Sequence, residues 1–172
     1  NLPANLSIDE DASSQSLSLS PITAGTPAED AAGQTISFTV QSSDTAVIAN
    51  AQFTGTGLNQ QLQFSPETDA NGQVTLTITA TDNGGTANGG SNTTIKTVTV
   101  TINPVNDDPS FNTPNPIAID EDAGMQMLTL TGLSPGPADE SSQTLTISAI
   151  SDNQTLLPNA AISFDTIANG QV

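Results

Sequence analysis

The side chains of this chain best suited to bind a ligand or to react are closely spaced carboxylates. Most of its 18 acidic residues fall in short clusters, which are Asp9-Glu10-Asp11, Glu29-Asp30, Asp82, Asp107-Asp108, Asp120-Glu121-Asp122 and Asp139-Glu140. Neighbouring carboxylates repel each other unless a cation compensates, and Ca²⁺ takes about six to eight oxygen ligands of this kind. The chain has no Cys and no His, which Zn²⁺, Cu²⁺ and Ni²⁺ prefer. The residue types therefore favour Ca²⁺, with Mg²⁺ a weaker competitor because it retains its waters.

The same carboxylates are poor candidates for catalysis. Paired acids could hydrolyse a glycosidic bond, but the acidic clusters recur along the chain, and no Trp or Tyr is present to line a sugar cleft. Without His or Cys, no side chain is available to activate a nucleophile for acyl transfer. We therefore expect no enzymatic activity. The alternative to metal binding is a solvated acidic surface that serves solubility.

The chain contains an internal repeat. Ile8-Asp-Glu-Asp-Ala12 returns as Ile119-Asp-Glu-Asp-Ala123, and further matched segments follow in the same order. These pairs are Leu17–Ser20 with Leu128–Thr131, Gln34–Phe38 with Gln143–Ile147, and Ala46–Ala51 with Thr155–Ala160. A repeat at domain spacing indicates a tandem array. We predict one complete repeat over residues 1–105, an acidic linker over 106–116, and the first half of a second repeat over 117–172.

Apolar residues alternate with Thr and Ser at period two, which predicts half-buried β-strands with one wet face. In the first repeat we predict strands near 5–9, 16–20, 35–41, 47–54, 60–65, 73–81 and 94–103. In the second repeat we predict strands near 117–120, 127–131, 143–150 and 160–164. Seven short strands in one repeat are typical of an antiparallel β-sandwich of immunoglobulin-like size. The predicted fold class is all-β, with tandem sandwiches of which the second is truncated.

The composition restricts the possible partners. The net charge is −17, with Lys96 as the single base, so nucleic acid and anionic lipid would be repelled. No apolar run is long enough for a membrane span, so we expect no direct membrane insertion of this segment. The expected partners are the neighbouring repeats of the same chain, with homotypic or filament contacts as a further option.

The strand pattern predicts that several acidic clusters meet at the joint between repeats. The last strand delivers the linker acids to one pole, and we predict the Asp82 turn and the end of the first strand at that same pole. The loop after the second strand of repeat two would contribute from across the joint. The predicted metal ligands are Glu10, Asp11, Asp82, Asn106, Asp107, Asp108, Asp139 and Glu140. By the same logic, Glu29-Asp30 would serve a joint with a preceding repeat.

The linker Val105-Asn106-Asp107-Asp108-Pro109 resembles the inter-domain linker of cadherins, and it is more similar to the Val-Asn-Asp-Ala-Pro joints of bacterial cadherin-like repeats in large surface adhesins. The repeat start Ile8–Ala12 and the turn Thr79–Gly84 also resemble those repeats. The resemblance implies Ca²⁺ bound between consecutive sandwiches, with Glu10, Asp82, Asn106 and Asp107 on matching positions. Asp108 departs from the small or amide residue usual in the family, and the Asp82 turn lacks a second acid.

Residues and resemblance together predict a non-catalytic, extracellular spacer of a bacterial cell-surface adhesin, rigidified by Ca²⁺ at its joints. A first alternative is a self-assembling subunit of an extracellular filament or matrix. A second is a carbohydrate-binding module, although the five Phe look core-facing rather than arranged as a sugar platform. A spacer should stay monomeric with Ca²⁺, a filament subunit should not, and a carbohydrate-binding module should show saturable glycan binding.

Overall fold

The computed structural model describes residues 2–23, 25, 33–57, 59–86 and 90–172. The acidic pair Glu29-Asp30 lies outside these residues. Contacts divide the chain into two compact units, Asn1–Val105 (unit 1) and Asn106–Val172 (unit 2). Among the described residues, no helix has the length and apolar character needed to cross a bilayer.

The described residues of unit 1 form seven strands, so the predicted all-β class is confirmed for this unit. The strands are β1 (Asn5–Asp9), β2 (Gln15–Leu19), β3 (Ile36–Ser42), β4 (Gln52–Thr56), β5 (Asn59–Phe64), β6 (Gly72–Asp82) and β7 (Thr93–Asn103). Only β4 starts much later than predicted. The reason is a turn at Asp44, whose side chain accepts the Ala46 N–H and whose carbonyl accepts the Ile48 N–H.

Two sheets enclose the core of unit 1. One has the order β1-β7-β6-β3 and the other the order β2-β5-β4. Period-two alternation turns one side of each strand inward, and this side carries the buried apolar residues. They are Leu19, Ile48, Leu62, Phe64, Val74, Leu76, Ile78, Val98, Val100 and Ile102. The rings of Phe38 on β3 and Phe53 on β4 meet across the sheets with centroids 5.5 Å apart.

A matched pair of substitutions tests this core. Ile78 on β6 is 3% exposed, whereas Ile95 on β7 is 60% exposed. We expect Ile78→Ala to lower the free energy of unfolding by about 2–5 kcal/mol, because it leaves a cavity, while Ile95→Ala costs under about 1 kcal/mol. Urea unfolding followed by circular dichroism measures both. Equal losses would place Ile78 outside the core.

One strand pair departs from the predicted antiparallel arrangement. β1 runs parallel to β7, with Asn5 opposite Thr99 and Asp9 opposite Asn103. Both strands therefore end at the same pole of unit 1, which we call the exit pole because β7 ends there at Asn103. β6 is antiparallel to β7, with Gly72 opposite Ile102. The exit pole therefore also holds the turn that precedes β6.

Unit 2 contains no β-strand among residues 106–172, all of which are described. Its backbone forms two 3₁₀ turns (Ala138–Glu140 and Asn159–Ala161) and isolated bridges, of which Thr131 opposite Gln171 is one. The strands predicted near 117–120, 127–131, 143–150 and 160–164 are therefore wrong for this structure. The core-facing prediction for Phe is also wrong in unit 2, where Phe111 and Phe164 are exposed.

The topology of unit 1 explains why those strands are missing. Residues 117–164 correspond in sequence to β1 through β4, and in unit 1 these four strands lie at sheet edges. Each of them pairs only with β5, β6 or β7. Unpaired edge strands leave their backbone groups without a ladder, and residues 106–172 contain no strand that could pair with the counterparts of β1–β4.

Candidate metal-binding carboxylates

Glu10 connects the elements that meet at the exit pole of unit 1. Its backbone N–H donates to the Asn103 carbonyl at 2.9 Å. Its side chain is 1% exposed. Oε1 accepts the Val105 N–H at 2.6 Å, and Oε2 accepts the Asn71 side-chain amide at 3.2 Å. The parallel pairing of β1 with β7 creates this arrangement, because it brings the residue after β1 beside the end of β7.

Asp11 and Asp69 add two exposed carboxylates at this pole. One carboxylate oxygen of Asp11 and one of Asp69 lie within 4.8 Å of each other. The Asp69 N–H also points to Asp11 Oδ1, at 3.5 Å. Both residues have positive φ angles, 42° and 55°, a conformation that Asp and Asn tolerate better than most residues. Two like charges this close repel by about 1 kcal/mol even in water, and a divalent cation between them reverses the sign.

Asp69 and Asn71 were not among the predicted ligands, because Asp69 reads in the sequence as an ordinary turn residue. The turn Glu67–Ala70 is closed by the Ala70 N–H donating to the Glu67 carbonyl. An available signal was the order of the hairpin: the turn before β6 must lie where β7 ends, since β6 and β7 are antiparallel. An acid and an amide in that turn are therefore placed beside Glu10.

The placement predicted for Asp82 is wrong. Asp82 ends β6, and its N–H donates to the Asn92 carbonyl at 2.9 Å, beside the start of β7. It therefore lies at the pole opposite the exit pole, about 30 Å away at about 3.3 Å per strand residue. There its Oδ1 accepts the Gly84 N–H at 2.7 Å and closes a turn. The error lay in assigning the turn after β6, rather than the turn before it, to the exit pole.

Unit 2 brings together three of the predicted residues. Glu140 is 3% exposed, and its Oε1 accepts the Asp107 N–H at 2.5 Å. The Asn106 side chain accepts a hydrogen bond from the Gln143 amide at 3.1 Å. Glu140 Oε2 is buried without a hydrogen-bond partner among the described residues. A buried carboxylate oxygen in this state is costly, and a bound cation is one way to compensate it.

The absence of a side chain at Gly136 leaves the space that the Glu140 carboxylate occupies. A Cβ at Gly136 would lie within van der Waals overlap of Glu140 Oε2, and Gly136 has a φ of 151°. Asp108 and Asp139, the remaining predicted ligands in this unit, are exposed. Of the predicted carboxylate ligands in unit 2, Glu140 is therefore buried, Asp107 is half-buried, and Asp108 and Asp139 are exposed.

A glycine substitution tests the Glu140 arrangement. We expect Gly136→Ala to displace the Glu140 side chain and to break its hydrogen bond with the Asp107 N–H, a bond of a type that contributes about 1.5–3 kcal/mol. The amide proton resonance of Asp107 would then move upfield in a ¹H–¹⁵N spectrum. Gly124→Ala is the control in the same unit, because nothing lies within 4 Å of its added Cβ. An Asp107 resonance that moves equally in both variants would contradict the contact.

The comparisons with known proteins add no relative. The sequence matches no protein-family model and no curated protein, and the structure matches no solved structure.

Proposed function

We propose that this chain is a non-catalytic, extracellular spacer segment of a bacterial surface adhesin, built from immunoglobulin- or cadherin-like repeats and stiffened by Ca²⁺. The supporting observation is the exit pole of unit 1, where the buried Glu10 carboxylate lies beside the Asp11 and Asp69 pair. All of these donors are oxygens, as Ca²⁺ requires. With a chain charge of −17, divalent cations are also attracted from a distance.

The position of the carboxylates suits a joint. Glu10 accepts the N–H of Val105, the last residue of unit 1, and Glu140 accepts the N–H of Asp107 at the start of unit 2. A carboxylate thus accepts a backbone N–H on each side of the sequence boundary between Val105 and Asn106. A cation bound to such groups would restrict the rotations of the linker, whereas their mutual repulsion would favour a loose linker when the cation is absent.

Ca²⁺ binding to the folded state would also stabilise it by mass action. Extracellular Ca²⁺ modules bind with dissociation constants of about 10⁻⁴–10⁻³ M. At about 10 mM Ca²⁺ a site at the tight end of this range adds about 2.7 kcal/mol to the free energy of unfolding. The spacer would therefore be rigid in millimolar external Ca²⁺ and loose at cytosolic Ca²⁺ levels.

Isothermal titration of Ca²⁺ into the 172-residue chain tests the proposal. We expect saturable binding in the sub-millimolar to millimolar range and no comparable heat from Mg²⁺, which resists dehydration. An Asp107→Ala/Asp108→Ala variant, titrated in parallel, reports whether the linker acids take part. Absence of binding up to about 10 mM, well above the expected dissociation constants, would reduce the acids to a solubilising surface.

Sedimentation velocity separates the spacer from its rival, the self-assembling subunit. A spacer should remain monomeric across a wide range of protein concentration, with and without Ca²⁺. A Ca²⁺-dependent increase in sedimentation coefficient with concentration would instead support a filament or matrix subunit. Glycan-array binding that saturates independently of Ca²⁺ would support a carbohydrate-binding module.

A further inference from the structure

Unit 2 exposes apolar side chains whose counterparts form the core of unit 1. Ile48 is fully buried in unit 1, whereas its counterpart Leu157 is 47% exposed. Ile8 and Leu17 pack against the unit 1 core, whereas Ile119 and Leu128 are exposed. Large exposed apolar groups are unusual in clusters and mark surfaces that another polypeptide covers.

The repeat and the sheet topology identify what would cover this surface. In unit 1, each of the strands β1 through β4 pairs with β5, β6 or β7, and these three strands lie at the centres of the two sheets. The same three strands also carry most of the core: of the buried hydrophobic residues in the described part of unit 1, only Leu19 and Ile48 lie elsewhere. The segment that completes such a surface is therefore a three-stranded one with the inward apolar pattern of β5–β7.

The backbone of unit 2 already shows the first step of this pairing. Leu130 and Val172 exchange both backbone hydrogen bonds, at 2.8 and 3.2 Å, and Thr131 lies opposite Gln171. In unit 1 the equivalent residue Leu19 lies opposite Gln60, at the start of β5. Residues 171–172 thus lie where a β5 counterpart would begin, in the same antiparallel sense and beside the counterpart of β2.

We propose that residues 117–164 are an acceptor surface for a β-segment of the β5–β7 type, which would insert between the counterparts of β1–β4 and complete a second sandwich. The occupant has the pattern of residues 59–103, with apolar residues at alternate positions. Covering these apolar side chains removes them from water, and this favourable term offsets the cost of ordering the inserted segment.

A fusion tests the acceptor surface at high effective concentration. A copy of residues 59–103 is appended to Val172 of the full chain through a flexible linker, and amide hydrogen exchange is measured in EGTA, so that the result is independent of Ca²⁺ binding. We expect the amides of 117–164 to exchange at least about tenfold more slowly than in the 172-residue chain, with a second cooperative unfolding transition. Unchanged exchange over 117–164, with unit 1 still folded, would overturn the proposal.

Two further fusions test whether the added protection depends on the acceptor surface and on the sequence order of the extension. Leu130→Asp/Leu157→Asp places charges on the acceptor surface, and we expect it to abolish the added protection while unit 1 keeps its own unfolding transition. An extension with the same composition in scrambled order should give no protection. Protection that survives the two Asp substitutions, or that appears with the scrambled extension, would contradict insertion at this surface.

Discussion

Replacing both exposed carboxylates of the exit pole, as Asp11→Asn/Asp69→Asn, is expected to weaken Ca²⁺ binding to unit 1 about a hundredfold. Each charged oxygen ligand that is lost costs on the order of 1.4 kcal/mol, or about tenfold in affinity. Asn is the appropriate replacement because it tolerates the positive φ of both positions, 42° and 55°. The fold of unit 1 should therefore survive, and calorimetric titration reads out the affinity directly.

The control for this experiment is a second double variant with the same net charge as Asp11→Asn/Asp69→Asn. Asp152→Asn/Asp165→Asn removes two acids that lie outside the acidic clusters of the sequence. If Ca²⁺ were attracted only by the net charge of −17, both double variants would lose the same small amount of affinity. Equal titration curves for the two variants would therefore contradict a site at Asp11 and Asp69. A selective loss in the exit-pole variant would assign the site.

The second large effect is expected in amide hydrogen exchange of the unmodified chain. Amides of β6 and β7 should exchange at least about 10³-fold more slowly than those of residues 117–129, after correction for intrinsic rates. β6 and β7 lie in the centre of the four-stranded sheet, and their residues Leu76, Val98 and Val100 are fully buried. Residues 117–129 form no ladder, and Met125 and Met127 in this segment are exposed.

The expected difference in exchange rate between β6–β7 and residues 117–129 can be contradicted by one result. Slow exchange throughout 117–129 in the 172-residue chain would mean that unit 2 pairs its strands without a β5–β7 segment. Mass spectrometry of peptic fragments resolves the two units, since peptides from β6–β7 and from 117–129 do not overlap. Exchange at two pH values checks that the rates report opening equilibria rather than opening rates.

Period-two alternation was enough to predict the β-structure of unit 1, because a strand that buries one face must place apolar side chains at every second residue. The same pattern in 117–164 did not produce strands. Alternation specifies which face a strand would bury, but strand formation also requires a hydrogen-bonded neighbour. In this fold the neighbours of β1–β4 come from β5–β7, so the local pattern alone was insufficient.

For the candidate metal ligands, too, the sequence predicted one part and the fold determined another. Residue types alone established which ligand atoms are available: clustered carboxylates, with no His and no Cys. Residue types and spacing were also enough to predict Glu10 and Glu140 as candidate ligands. Both turned out to be buried, and each accepts a backbone N–H close to the boundary between the units.

Which acidic residues share a pole of unit 1 depends on how the strands pair. Whether the exit pole holds the turn before β6 or the turn after it depends on the direction of β6 relative to β7, and antiparallel pairing selects Asp69 over Asp82. The parallel pairing of β1 with β7 likewise brings Glu10 beside Asn103. Strand direction and register are set by long-range pairing across the whole unit, so no local stretch of sequence encodes them.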